Sequence, residues 1–254
     1  MSKRGQLTIF IIIAIVIVVV VALFFIFKGE SLITPNARAG AKNIDYMMKT
    51  CIEDSVKDAE ELIIQNGGYV ESIILRKPFK FSDEDEINYY TYLCYDINRE
   101  NCVNQQPDLF GHVSEEIKNY IEEDLNTCFE EVLNDLEKEN YVINEENLKG
   151  FDVKVRDGQI ELSVEAEISM SSGEESFTQN DFAMIFKSNL YEILEVVRKI
   201  INAETTQCEF DEIKFIIKNP EIDVKKFVAE DGAKVYTIKH AEETDKFRFA
   251  VLGC

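Results

Sequence analysis

The 254-residue chain has no charged residue between Gly5 and Phe27, and from Ile9 to Phe27 every residue is apolar. A helix rises 1.5 Å per residue, so about 20 such residues cross a hydrocarbon core of about 30 Å. The missing charge therefore reads as one transmembrane helix over residues 7–27, formed because in lipid the backbone must satisfy its own hydrogen bonds. A cleaved signal peptide has a shorter apolar core with a small-x-small site close behind it. Here the first Ala-x-Ala triplet is Ala37-Arg38-Ala39, and no cysteine ends the run to carry a lipid. Both absences favour a retained signal-anchor. Nor does the run hold a small-xxx-small pattern for tight helix dimers.

Basic residues are scarce. The chain has 27 Lys and Arg against 48 Asp and Glu, a net charge of −21. Setting aside Lys3 and Arg4 leaves 25 basic residues beyond the anchor. Such a surface repels nucleic acid and anionic headgroups, and it keeps an exported domain soluble. Lys3 and Arg4 place residues 1–6 in the cytoplasm and the C-terminal domain outside it, as a single-pass protein of the cell membrane. The expected partners are the lipid bilayer, through residues 7–27, and envelope or surface proteins.

Chemical motifs are missing too. There is no Gly-rich phosphate loop, H-E-x-x-H, G-x-S-x-G or C-x-x-C, and the two histidines are His112 and His240. His112 reads as a loop or capping residue and His240 as the end of a strand. The carboxylate run Ser82–Glu86 lacks EF-hand spacing, because the fifth position counted from Asp83 is Ile87. Tyr89, Tyr90 and Tyr92 read as cross-strand packing rather than a binding strip. No catalytic, metal or cofactor residue is nominated. The expected function is a binding or structural ectodomain. A carboxylate-dependent ecto-hydrolase is an alternative, since the acidic surface offers many pairs.

What the chain does have is six cysteines, all beyond the anchor: Cys51, Cys94, Cys102, Cys128, Cys208 and Cys254. An even count in an exported domain points to disulfides. Cys51 and Cys128 sit on the apolar faces of two expected helices and pair if those helices pack. Cys94 and Cys102 flank a polar loop, and Cys208 and Cys254 bracket the last quarter.

Gly29, Pro35 and Gly40 mark residues 28–41 as a linker ahead of a domain over 42–254, with a subdivision near 148. Apolar spacing predicts helices over 42–66, from Ser114 onward, and from Thr178 to Ile201. Asn66-Gly67-Gly68 ends the first as a left-handed cap. Alternation predicts strands at 69–75, with Arg76-Lys77-Pro78 closing, at 87–97, and in a hairpin turning at Asp157-Gly158. The last quarter reads as strands at 209–218, 222–229, 233–240 and 247–252. The fold class is α+β, with antiparallel sheet packed on amphipathic helices.

Two resemblances add to this. Lys3-Arg4-Gly5-Gln6, directly before the apolar run, resembles the class III signal of archaeal type IV pilin-like proteins. That likeness implies cleavage between Gly5 and Gln6 and a filament subunit as the alternative function. The Glu often found five residues into the mature pilin is replaced here by Phe10. Over residues up to about 205, KRGQLTIF, CIEDSVKDAEELIIQNGGYV and EEIKNYIEEDLNTC resemble a family of membrane-anchored proteins from small-genome archaea to which no activity is assigned. This second likeness implies an archaeal cell-surface protein.

Overall fold

Ile44, Met48, Ile52, Val56, Ala59 and Ile63 recur every three or four residues and form the buried stripe of α1 (Ile44–Gln65). Leu109, Val113, Ile117, Ile121, Leu125 and Leu136 do the same for α2 (Leu109–Lys138). The two helices pack antiparallel. Cys51 bonds Cys128, and one turn further along Ser55 Oγ donates to Asp124 at 2.6 Å. The computed structural model describes residues 44–82, 85–98, 100–241 and 244–253. The Gly5–Gln6 processing site, the apolar run 7–27, the linker 28–41, Asp83, Glu84 and Cys254 lie outside them. Among the described residues no helix is long and apolar enough to cross a membrane.

Two sheets complete the α+β fold. Strands β4 (Val142–Arg156), β5 (Gln159–Ser172) and β6 (Glu175–Lys187) form an antiparallel meander. Ile160, Leu162, Val164, Ala166 and Ile168 of β5 turn inward to the core shared with α1 and α2, and their neighbours face out. The second sheet runs β1 (Arg76–Phe79), β2 (Asn88–Tyr95), β9 (Phe247–Leu252), β8 (Lys234–His240), β7 (Ile222–Val228). A short β3 (Val103–Asn104) pairs with the end of β2. The β2–β9 pairing is parallel and the others are antiparallel. Helix α3 (Leu190–Gln207) buries Ile193, Leu194, Val197, Ile200 and Ile201 into the main core. Phe81, Tyr90, Tyr92, Val235 and Ala250 make a smaller core of their own. There the Arg248 guanidinium lies 4.4 Å over the Phe81 ring. Residue 148 falls inside β4, and the main core joins residues on both sides of it.

Four expected elements differ. The helix expected from Thr178 begins only at Leu190, and residues 175–187 are a strand. The cause is a bulge at Asp181, whose φ is +22°. Register slips between Val164/Phe182 and Glu167/Asn180, and the Asp181 carboxylate accepts the Ala166 N–H at 3.1 Å. The slip moves the inward phase from Phe177 and Gln179 to Phe182, Met184 and Phe186. With outward Ile185, the apolar positions then imitate helical spacing. Residues 212–218, expected as strand, are a helix, α4 (Glu212–Lys218), capped by Asp211, which accepts the Lys214 N–H at 2.9 Å. Helix α2 starts five residues before Ser114, because Asp108 caps it by accepting the Gly111 N–H at 3.1 Å. The expected strand 69–75 is irregular, and β1 begins at Arg76. The Val70 N–H goes to Glu116 and its carbonyl to Asn66, so neither joins a ladder.

Helix α1 ends as its glycines require. Gly67 takes φ +68°, and the Gly68 N–H returns to the Ile63 carbonyl at 2.8 Å. A Cβ on Gly67 would lie 2.7 Å from the Arg248 carbonyl oxygen of β9. Gly67→Ala therefore adds both backbone strain and a clash. The expected cost is about 2–3 kcal/mol, read as a lower urea midpoint at unchanged slope.

Candidate binding cleft

Among the described residues two of the three expected bridges are seen. Cys51–Cys128 joins α1 to α2 with Cα atoms 5.8 Å apart. Cys94–Cys102 closes the 95–101 loop at 5.3 Å. Cys208 is also disulfide-bonded; its expected partner, Cys254, lies outside the described residues. Within the stapled loop the Asp96 carboxylate accepts the N–H groups of Asn98 and Glu100 at 3.2 and 2.9 Å.

Sequence spacing gave no sign of a charged knot at the end of α3. Glu204 is 0% exposed. Lys234 Nζ donates to Glu204 Oε2 at 2.6 Å and to the Cys208 carbonyl at 2.5 Å. The Tyr236 hydroxyl donates to the other carboxylate oxygen. Burial first, and then that hydrogen bond, push the Tyr236 hydroxyl far above the ordinary tyrosine range. Alongside, Lys226 meets Glu209, Glu212 and the Phe210 carbonyl. Burial opposes its charge, but the two carboxylates outweigh burial and raise its pKa. Both Glu204 oxygens are committed inside the fold, so the knot ties α3 to β8 rather than presenting a reactive group.

The residues singled out in the sequence are not brought together. His112 lies within α2, not in a loop, because the helix starts at Leu109. Its ring meets Tyr69 edge-on at 4.5 Å, and its Nε2 is buried with no hydrogen-bond partner among the described residues. His240 ends β8, 3.6 Å from Glu192. Tyr90 and Tyr92 are buried, with the Tyr92 hydroxyl pushed up to about 12, first by burial. Tyr89 is 57% exposed beneath the Arg76 guanidinium. Asp85 and Glu86 are exposed. Among the described residues no three His, Cys, Asp or Glu are grouped to hold a metal.

One concavity among the described residues follows the Gly67–Gly68 turn. That turn lays residues 69–73 along α2, where the Val70 N–H donates to Glu116 Oε2 at 2.9 Å. Asn66 Nδ2 closes the loop onto the Val70 carbonyl at 2.8 Å. Tyr69 is held between the His112 ring and Gln106, whose Nε2 donates to the phenol oxygen at 2.5 Å. Tyr69, Glu71, Ile73, Glu116, Asn119 and Tyr120 then line a cleft of about 560 Å³. Its two walls are 46 residues apart in sequence, so no local pattern announces it. No known protein family, curated protein or solved structure matches this chain.

The knot makes two predictions. Lys234→Met strands a buried carboxylate and is expected to cost about 3–5 kcal/mol in urea unfolding. Because the folded pKa of Tyr236 is raised, its contribution is fully present below the unfolded value near 10 and is lost as pH rises beyond it. Urea midpoints at pH 8 and pH 10.5 should thus fall less between the two for Tyr236→Phe than for the parent.

Proposed function

We propose that this protein is a single-pass, membrane-anchored surface protein whose α+β ectodomain binds or organises other envelope components. The uncharged apolar run of residues 7–27 carries the reading. The flanking Lys3 and Arg4 orient it with residues 1–6 in the cytoplasm. Disulfides persist in oxidising compartments, so the Cys51–Cys128 and Cys94–Cys102 bridges support an extracytoplasmic domain. On the same reading, the short stretches that resemble anchored proteins of small-genome archaea imply the same placement. One specific observation favours a second reading. Lys3-Arg4-Gly5-Gln6 resembles a pilin-like processing site, and a chain cut there would be a filament subunit held together by its apolar helix.

Intact-mass and N-terminal peptide analysis of membrane-extracted protein under non-reducing conditions separates the two. The anchored ectodomain is expected to start at Met1 or Ser2 and to lack two hydrogens for each bridge. A chain starting at Gln6 selects the pilin-like subunit, with filaments expected in electron microscopy. A start beyond Ala39, or six free thiols, overturns both.

A further inference from the structure

We propose that the cleft between residues 69–73 and α2 binds an organic cation, namely a primary ammonium or guanidinium group. This inference rests on the binding-ectodomain reading above and names the chemistry that ectodomain recognises. The cleft combines two carboxylates, Glu71 and Glu116, with two phenol rings, Tyr69 and Tyr120, and the Asn119 amide. Among the described residues neither carboxylate is ion-paired. The one lysine in this stretch of α2, Lys118, sits instead over the Phe151 ring at 5.8 Å. Glu115, Glu122 and Glu123 on the same helix add to the negative field.

The ligand class follows from the charge and the lining of the cleft. An anion is repelled by these carboxylates and by a chain charge of −21. A divalent metal needs a larger set of converging ligands, and none is grouped among the described residues. An alkylammonium or guanidinium needs one or two carboxylates for charge-assisted hydrogen bonds, plus aromatic faces for the cation and its apolar stem. A volume of about 560 Å³ accommodates such a side chain. Part of the wall is already set, because the Val70 amide holds Glu116 and Gln106 with His112 holds Tyr69. Binding therefore costs little ordering of these two side chains, and the exposed Glu71 and Tyr120 close on the ligand.

Two sources share this chemistry: a lysine or arginine side chain on a partner protein, and a free polyamine. The test is titration calorimetry on the full chain in detergent micelles, with acetyl-Gly-Arg-Gly-amide and spermidine as probes at physiological ionic strength. Glu71→Gln and Glu116→Gln remove charge, and the new amide oxygen at 116 still accepts from Val70. Glu130→Gln, on an exposed position farther along α2, is the control. Urea midpoints verify that the variants fold. Saturable binding is expected, weakened at least about tenfold by either cleft variant and less than about twofold by the control. Tighter binding of the peptide assigns the site to a protein partner, and tighter binding of spermidine to a polyamine. Absence of saturable binding to both probes overturns the proposal, as does equal weakening by Glu130→Gln. The N-terminal mass experiment reads the anchor and not the cleft, so either reading can fail while the other stands.

Discussion

The seam between α1 and α2 is the constraint on which the rest of the domain depends. Each helix has one apolar stripe, and neither stripe can be buried by the other alone. Their shared seam leaves an apolar surface wide enough for β4–β6. Ser114 of α2 helps fix that contact by accepting the Val155 N–H at 3.3 Å. On the α1 side, the Ser188 hydroxyl, just before α3, donates to Glu60 at 2.5 Å. The end of α1 abuts β9 at Gly67, where Thr91 of β2 also donates to the Asn66 carbonyl at 2.8 Å. One helix pair thus positions both sheets, and the Cys51–Cys128 bond closes it covalently.

The second sheet solves a different problem. Its central strands β8 and β9 are buried on both faces, so they need cover on two sides. Helices cover one face, and β8 meets them through a polar knot rather than through apolar packing alone. A buried carboxylate is costly unless it is paired and hydrogen-bonded. Lys234 and Tyr236, two apart on the same strand, satisfy both oxygens of Glu204. Since successive strand residues face opposite ways, Val235 between them points into the smaller core with Phe81 and Ala250. The Lys77–Asp231 ion pair closes that side, and it holds the Asp231 carboxyl below the usual range.

How much of this could be read in advance depended on whether the signal was local. The stripe of α1, the Asn66-Gly67-Gly68 stop and the Asp157-Gly158 hairpin are short-range patterns, and the structure matches them. Pairing Cys51 with Cys128 required only that two apolar faces meet. Strand β6 departs from the helix its sequence suggests because one bulge at Asp181 changes which residues face inward, and Phe182, Ile185 and Phe186 then carry helical spacing. Helix α4 departs from the strand its sequence suggests because Ile213, Phe215, Ile216 and Ile217 suit a strand equally well, and its cap at Asp211 is a single hydrogen bond. The cleft and the Glu204 knot were not legible at all. Each joins residues dozens of positions apart through polar contacts, and such contacts leave no periodicity.

The parallel pairing of β2 with β9 has a consequence for the order of assembly. Tyr92 is registered against Ala250, so β2 acquires this neighbour only after the whole intervening chain has been made. The meander β4–β6 is built from consecutive hairpins and needs no such wait. Long-range pairing pays its loop-closure entropy before any contact repays it, and so comes late. On this topology a helix pair with its meander can form during synthesis before the second sheet closes around its late-arriving middle strand. Until β9 arrives, β2 and β8 each expose an unpaired edge, and that interval is when the nascent chain is most open to aggregation or to a chaperone.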